Sequence, residues 1–247
     1  TDASEYTKWG ASQTGDIITA PGLWSLDNYG NKLIATIVDG ATFEWDSDGS
    51  PSTRATIVAN APTAALQTLV STPDRHLVFF GTETTIGTTS TQDDMYIRFS
   101  DQESIDATTS YAPSATNTAG TQRLADGTRI VAAIRGRDAI YVWTDTSLFI
   151  MRFVGAPFVF SFQQVGTNCG LIGKNAAVEV DGSAYWMSEN GFFRYTGKLE
   201  SLACLVEDYV YDDINTVPKN HIYAGLNNLF GEVTWFYPGS GAASNNR

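Results

Sequence analysis

A strand–turn–strand unit recurs along this chain, and it limits the possible folds more than any other feature of the sequence. The clearest copy joins the apolar run 32–38 to a second run, 41–45, through Asp39-Gly40. An Asp-Gly pair between two β-prone runs predicts a tight hairpin, because both central turn positions require positive φ angles. Five such units are present, and their first strands begin at Lys32, His76, Ala139, Ser183 and Glu232.

The later units keep the pattern but change the turn. The last one, 233–237, has no visible second half. In the other three we expect hairpins that pair 76–80 with 95–99, 139–143 with 148–153, and 184–187 with 192–195.

The spacing of these units is typical of a β-propeller. The five starting positions are separated by 44, 63, 44 and 49 residues, and propeller blades recur at roughly 40–50 residues. The one long interval contains two Ser/Thr-rich stretches, 82–91 and 108–121, which we interpret as inserted surface loops.

Several strands are apolar on both faces, as in Ile140-Tyr141-Val142-Trp143. A half-solvated sheet alternates between apolar and polar residues, so these strands need packed neighbours above and below. Stacked blades provide such neighbours. We therefore predict an all-β chain, residues 1–247, built as a propeller-like array of antiparallel blades with long inserted loops and one short helix. A sandwich or a barrel is the alternative.

The predicted helix covers 199–214, where apolar residues fall near helical spacing. The segment also carries Glu200, Glu207, Asp208, Asp212 and Asp213 and lacks Lys and Arg. It is either a solvated connector between blades or an acidic docking face for a neighbouring subunit.

The one locally basic region, 123–152, contains Arg123, Arg129, Arg135 and Arg137. Strand-end arginines of this kind commonly pair with nearby carboxylates. The other interpretation is a contact surface for an acidic neighbour, such as the acidic segment of another copy. We carry these four arginines and the five acidic residues as candidate subunit contacts.

Composition argues against several other roles. The formal net charge is -12, so tight binding of nucleic acid through phosphate neutralisation is not expected. A negatively charged wall nevertheless suits a channel through which DNA slides without binding.

The two cysteines, Cys169 and Cys204, predict buried reduced thiols and not a disulfide framework. No apolar run is long enough for a transmembrane helix, and we expect no membrane partner. The ends of the sequence suggest a piece of a longer polypeptide.

The sequence offers little catalytic chemistry, and we expect no cofactor, no metal and no enzyme activity. The two histidines, His76 and His221, are far apart and form no zinc motif. Asp46-Ser47-Asp48-Gly49 resembles the start of a calcium loop but lacks its later ligands, which favours a hydrated turn. Asp93-Asp94 and Asp212-Asp213 are adjacent carboxylates. Neighbouring residues in a strand point to opposite faces, so adjacency argues against a glycosidase pair, although carboxylates distant in the sequence can still meet in the fold.

The second half of the chain resembles the structural β-propeller proteins of tailed-bacteriophage virions, including the tail nozzle and hub proteins of short-tailed phages. The segments that carry the resemblance are 135–145 (RGRDAIYVWTD), 158–160 (FVF), 165–170 (VGTNCG), 188–193 (SENGFF), 207–215 (EDYVYDDIN) and 232–238 (EVTWFYP). They are strand and turn signatures and not catalytic motifs.

The resemblance implies a virion tail component that is made in the host cytoplasm and acts by assembly. It implies a ring of copies, sixfold in that family, which contacts neighbouring tail or adaptor proteins and surrounds passing double-stranded DNA. The alternative function is a carbohydrate-binding or glycoside-processing propeller, in which Trp9, Trp24 or Trp45 stacks on sugars. A cellular scaffold propeller is disfavoured because regular Trp-Asp or double-glycine repeats are missing.

Overall fold

The structure, a computed structural model, describes residues 22–72 and 74–247. The predicted all-β class is confirmed, because these residues form five antiparallel sheets and a single α-helix. Sheet I contains β1 (Trp24–Tyr29), β2 (Lys32–Ile37), β3 (Thr42–Asp46) and β4 (Thr56–Ile57). Sheet II contains β5 (Ala65–Ser71), β6 (His76–Thr82), β7 (Tyr96–Phe99) and β8 (Gly120–Arg123). Sheet III contains β9 (Ile130–Arg135), β10 (Ile140–Thr144), β11 (Ser147–Gly155) and β12 (Val159–Thr167). Sheet IV contains β13 (Ala177–Val180), β14 (Ser183–Ser188), β15 (Gly191–Tyr195) and β16 (Leu199–Leu202), and sheet V contains β17 (Tyr223–Asn227) and β18 (Glu232–Phe236).

Sheets I to IV share one topology. In each, four strands follow one another in chain order, and every strand pairs antiparallel with the next. The first strands of successive sheets pack together, β1 on β5, β5 on β9, β9 on β13 and β13 on β17. Each sheet therefore meets the next one through its first strand.

The hairpins expected from the sequence are the central pairs of these sheets. β2 pairs with β3, β6 with β7, β10 with β11, and β14 with β15. Asp39 has a φ of 58°, as expected for the first central turn position, but Gly40 does not have a positive φ, so the expectation was wrong for the second position. For the last unit the expectation was incomplete, because β18 pairs with β17, which precedes it in the chain. The strand that the sequence pattern identified in sheet V, β18, is therefore the second strand of that sheet and not the first.

Side-chain hydrogen bonds connect the first strands of sheets I, II and III. The Val70 N–H donates to Asp27 Oδ2 at 2.7 Å, and the Thr68 N–H donates to Ser25 Oγ at 3.2 Å. Contacts advance along both strands in the same direction, so β1 and β5 run parallel. The exposed edges of antiparallel sheets carry unpaired backbone groups, and here side chains of the neighbouring sheet bind some of them.

The core consists of apolar layers between successive sheets, and sheet III contributes to two of them. Ile140 and Val142 of β10 pack with sheet II, whereas Tyr141 and Trp143 pack with sheet IV. All four are at most 5% exposed, which confirms that this strand is buried on both faces. Trp143 lies edge-on to Trp186 of β14, with ring centroids 5.4 Å apart.

The long interval between the second and third units contains the two loops that join β6 to β7 and β7 to β8. The second loop is not confined to the surface. Tyr111 is 1% exposed and packs edge-on against Phe79, at 5.3 Å between ring centroids. The buried Arg98 guanidinium donates to the Tyr111 carbonyl at 2.9 Å, which fastens the loop to sheet II.

The helix predicted over 199–214 is shorter than expected. Residues Leu199–Leu202 form β16, and only Glu207–Asp213 are helical; we name this helix α1. The sequence interpretation was wrong for the first part because Glu200 lies directly opposite Arg194 of β15, and the two side chains form an ion pair across the strands. Opposite charges at facing positions stabilise an antiparallel pair.

Candidate assembly surfaces

Two of the four candidate arginines bind carboxylates of this chain. Arg123 at the end of β8 donates from Nε to Asp93 Oδ2 at 2.6 Å. Arg135 at the end of β9 pairs with Asp27 of sheet I and donates from Nε to the Val70 carbonyl at 3.1 Å. Arg135 therefore connects the first strands of three successive sheets. These contacts match the interpretation of strand-end arginines paired with nearby carboxylates.

Arg129 and Arg137 are exposed and form no ion pair within residues 22–72 and 74–247. They lie at opposite ends of β9: Arg129 precedes its first residue, and Arg137 follows its last. A six-residue strand spans about 20 Å. The fold therefore separates these two arginines instead of combining them into one basic patch.

The acidic segment is also partly neutralised. Besides the Glu200–Arg194 pair, Asp213 at the end of α1 accepts from Arg247 Nε at 2.8 Å. This hydrogen bond and the positive charge of Arg247 lower the pKa of Asp213. A negative charge at a helix C-terminus is unfavourable, and Arg247 offsets it.

The remaining acidic residues are on α1. Asp208 and Asp212 are exposed and Glu207 is half-buried. Tyr211 holds the helix against sheet IV, because its hydroxyl donates to the Ser188 carbonyl at 2.7 Å and accepts from the Gly191 N–H at 3.0 Å. Burial raises the pKa of Tyr211, so the hydroxyl stays protonated and keeps donating.

Sequence reasoning missed a set of exposed apolar residues at the turns. Phe158 is 79% exposed at the turn between β11 and β12, and Leu229 is 84% exposed at the turn between β17 and β18. We define the apolar rim as the exposed apolar residues of these two turns and of the adjoining end of β11, namely Phe153, Val154, Phe158, Leu229 and Phe230. Apolar residues next to Pro157 and before Gly231 were the available signal, since turns are usually polar.

The two turns of the apolar rim lie at the same end of their sheets. In a meander, the first-to-second and third-to-fourth turns are at one end. Tyr141 near the start of β10 donates to the Gly182 carbonyl in the first turn of sheet IV at 3.1 Å, which aligns sheets III and IV. A parallel bridge between Asn175 and Tyr223 aligns sheet V with sheet IV.

The residues considered for chemistry have structural contacts. Asn31 Nδ2 donates to Asp46 Oδ1 at 2.9 Å and to Asp48 Oδ2 at 2.8 Å, so both carboxylates of the acidic turn bind the side-chain amide of Asn31. Within the described ranges, no three His, Cys, Asp or Glu residues cluster as a metal site. His76 is buried and His221 is exposed. Cys169 is buried, which raises the pKa of its thiol to about 11, while Cys204 is half-buried.

The adjacent carboxylates lie outside strands, so the strand geometry used in the sequence argument does not apply to them. Asp93-Asp94 precedes β7, and Asp212-Asp213 ends α1. Burial opposes ionisation of Asp93, but hydrogen bonds from Arg123 and the Met95 N–H outweigh it and lower the pKa. Burial raises the pKa of Asp94.

The aromatic residues considered for sugar stacking differ in exposure. Trp9 lies outside the described residues. Trp24 is 49% exposed and sits near Phe43, with ring centroids 6.1 Å apart. Trp45 is half-buried and donates from Nε1 to the Thr53 carbonyl at 2.9 Å.

Comparison of this sequence with protein-family models gives no match, and comparison with curated proteins gives none either. Across residues 22–72 and 74–247, no helix has the length and apolar character needed to cross a bilayer.

Proposed function

We propose that this chain is a β-propeller-type building block of a tailed-phage virion, a nozzle or hub subunit that works by assembly. The observation that carries the proposal is the repeated contact of first strand on first strand, which arranges four similar four-stranded sheets and a two-stranded one in series. Parallel first strands around an axis are the arrangement of a propeller. Such a stack buries both faces of its inner sheets and forms a rigid wall.

The surface supports an assembly role in two ways. The apolar rim places five exposed apolar side chains at one end of sheets III and V, and exposed apolar patches mark protein contacts. The carboxylates Glu207, Asp208 and Asp212 are free of ion pairs among the described residues and are available to a basic neighbour. Ring formation then requires head-to-tail contacts that close after a fixed rotation.

Sedimentation of the full-length protein tests this proposal. We expect a ring, or incorporation into a larger complex when cognate tail components are added. A sedimentation coefficient of a compact monomer under both conditions contradicts the proposal.

The second candidate function is carbohydrate binding, and Trp24 is the observation that favours it. Its half-exposed indole ring offers a flat apolar surface, which sugars use for stacking. A glycan array tests this candidate with the protein and Trp24→Ala side by side. Binding that Trp24→Ala abolishes supports it, and no binding to any glycan removes it.

A further inference from the structure

Sheet V differs from the other four sheets at its outer edge. In sheets I to IV, the second strand pairs with the first strand on one side and with a third strand on the other. In sheet V, β18 pairs with β17, and within the described ranges residues 232–236 form no backbone hydrogen bond on the other side. The outer edge of β18 is therefore open. An open edge is a template for a further strand, because its N–H and C=O groups have no partner.

An apolar groove follows this open edge along β18. Two cavities of about 380 and 470 Å³ form it, and both are lined by Leu202 of β16 and Trp235 of β18. The first cavity lies at the start of β18, where Gly231 and Val233 line it, and the second lies at the end of the strand, beside Tyr237. We name these two cavities together the edge groove.

The outer strands of sheet IV form the floor of the edge groove. Phe192 of β15 lines it, with its ring centroid 5.0 Å from that of Trp235. Between sheets III and IV the equivalent space is filled, because the third strand of sheet IV places Phe193, directly opposite Trp186, against the apolar layer there. A strand added to β18 with apolar side chains on one face would fill the edge groove in the same way.

Unpaired acidic groups flank the end of the edge groove that lies beside α1. Leu205 and Val206 line the groove there, and both side chains are exposed. Glu207 and Asp208 follow them directly and form no ion pair within residues 22–72 and 74–247. The chain as a whole has a formal net charge of -12. These charges favour a basic segment and repel a second copy of this chain.

The direction of β18 determines which end of an added strand is basic. A strand that continues the meander runs antiparallel to β18, and β18 runs toward Tyr237 and α1. The first residues of the added strand would therefore lie beside α1, next to Glu207 and Asp208.

We propose that the open edge of β18 binds an extended segment of a different protein by β-strand addition. The segment carries basic residues at its start and apolar residues at alternate positions, whose side chains enter the edge groove. In this mode of recognition, backbone hydrogen bonds provide affinity and pockets for alternate side chains provide specificity. The inference is separate from the proposed ring, because a chain that sediments as a compact monomer can still bind such a segment.

Calorimetric titration of the protein with three capped heptapeptides tests the proposal. The probes are KKVTVTV, its acidic counterpart EEVTVTV, and KKVPPTV, in which two consecutive prolines remove one N–H from each side of the strand. We expect KKVTVTV to bind at least about tenfold more tightly than either of the others, because EEVTVTV meets like charges and KKVPPTV loses hydrogen bonds. No binding of KKVTVTV, or equal binding of either other peptide, overturns the proposal.

Two double variants locate the bound segment. Glu207→Gln with Asp208→Asn removes the charges beside α1 and is expected to reduce the preference for KKVTVTV over EEVTVTV to less than about threefold. Asp106→Asn with Asp138→Asn, at exposed loop positions of sheets II and III, is the matched control and is expected to keep the full preference. If the first variant does not fold, Asp208→Asn alone replaces it and is expected to lower the preference. Unchanged preference beside α1, or an equal loss in the control, contradicts the proposal.

Discussion

The side-chain amide of Gln67 binds both backbone groups of Ala133, although 66 residues separate them. Its Nε2 donates to the Ala133 carbonyl at 2.7 Å, and its Oε1 accepts from the Ala133 N–H at 2.9 Å. Gln67 thus acts toward β9 as a strand of the same sheet would, and it joins sheets II and III where their first strands meet.

Replacement of Gln67 tests how much this bridge contributes. Gln67→Leu keeps the size of the side chain but leaves both Ala133 groups without their partner, so we expect a loss of about 2 kcal/mol in the free energy of unfolding. Urea denaturation measures it. Gln122→Leu, at an exposed position of β8, is the control and is expected to change stability by less than about 0.5 kcal/mol. Equal effects of the two changes contradict a special role for Gln67.

The two central tryptophans of the core differ in one hydrogen bond. Both are 0% exposed, but Trp186 Nε1 donates to the Cys169 carbonyl at 2.7 Å, whereas Trp143 Nε1 has no partner among the described residues. Trp186→Phe therefore leaves the buried Cys169 carbonyl without its hydrogen-bond donor, while Trp143→Phe removes a buried N–H that was already unpaired. We expect Trp186→Phe to be the more destabilising by about 1–2 kcal/mol, measured by thermal or urea unfolding. The reverse order contradicts this assignment.

Asp74 is expected to make stability depend on pH. Its carboxyl is 2% exposed, Oδ1 accepts from Ser71 Oγ at 2.7 Å, and Oδ2 lies 3.9 Å from His76 Nε2. Burial raises the pKa of Asp74. A raised pKa in the folded state favours folding below the unfolded-state pKa, and this contribution is lost as pH rises through the folded-state pKa.

Asp74→Asn removes this titration. We expect it to raise the midpoint of thermal unfolding at about pH 8 and to give a much smaller gain at about pH 3.5. Asp93→Asn is the control of opposite sign: the pKa of Asp93 is lowered, so this change should destabilise at about pH 8 and have little effect near pH 3. Parallel pH profiles for the two variants contradict the account.

The apolar rim is expected to serve association and not folding. Phe158 is 79% exposed, so Phe158→Ser should change the free energy of unfolding of the isolated chain, measured by urea denaturation, by less than about 0.5 kcal/mol. The same change should weaken self-association or binding to tail components by about tenfold or more, as loss of an aromatic interface anchor does. Sedimentation velocity over a concentration series measures this. Unchanged association excludes Phe158 from the contact.

The sequence revealed the central strands of each sheet and not the flanking ones, for a physical reason. β2, β6, β10 and β14 are rich in apolar residues and are followed by short turns or by a recognisable apolar partner strand. By contrast, β8 reads Gly120-Thr121-Gln122-Arg123 and has no apolar residue. The first strands are also held by partners far away in the chain: Asp27 of β1 binds Arg135 of β9, 108 residues later. A pattern of neighbouring residues in the sequence cannot predict such a long-range contact.

The candidate residues show the same limit. The arginines and carboxylates were recognisable by composition, but their partners Asp93, Arg194 and Arg247 were not. The apolar rim was visible as apolar turn residues, and only the alignment of sheets III, IV and V places its two turns at one end.

An electron cryomicroscopy map of a tail particle, which we propose contains this chain, is the most direct test of its role as a wall-forming subunit. The account predicts copies of the chain in a closed ring around an axial channel, each with its sheets arranged around a local axis through the first strands. A map in which the chain is absent from the tail, or occurs there as isolated copies without ring contacts, contradicts it.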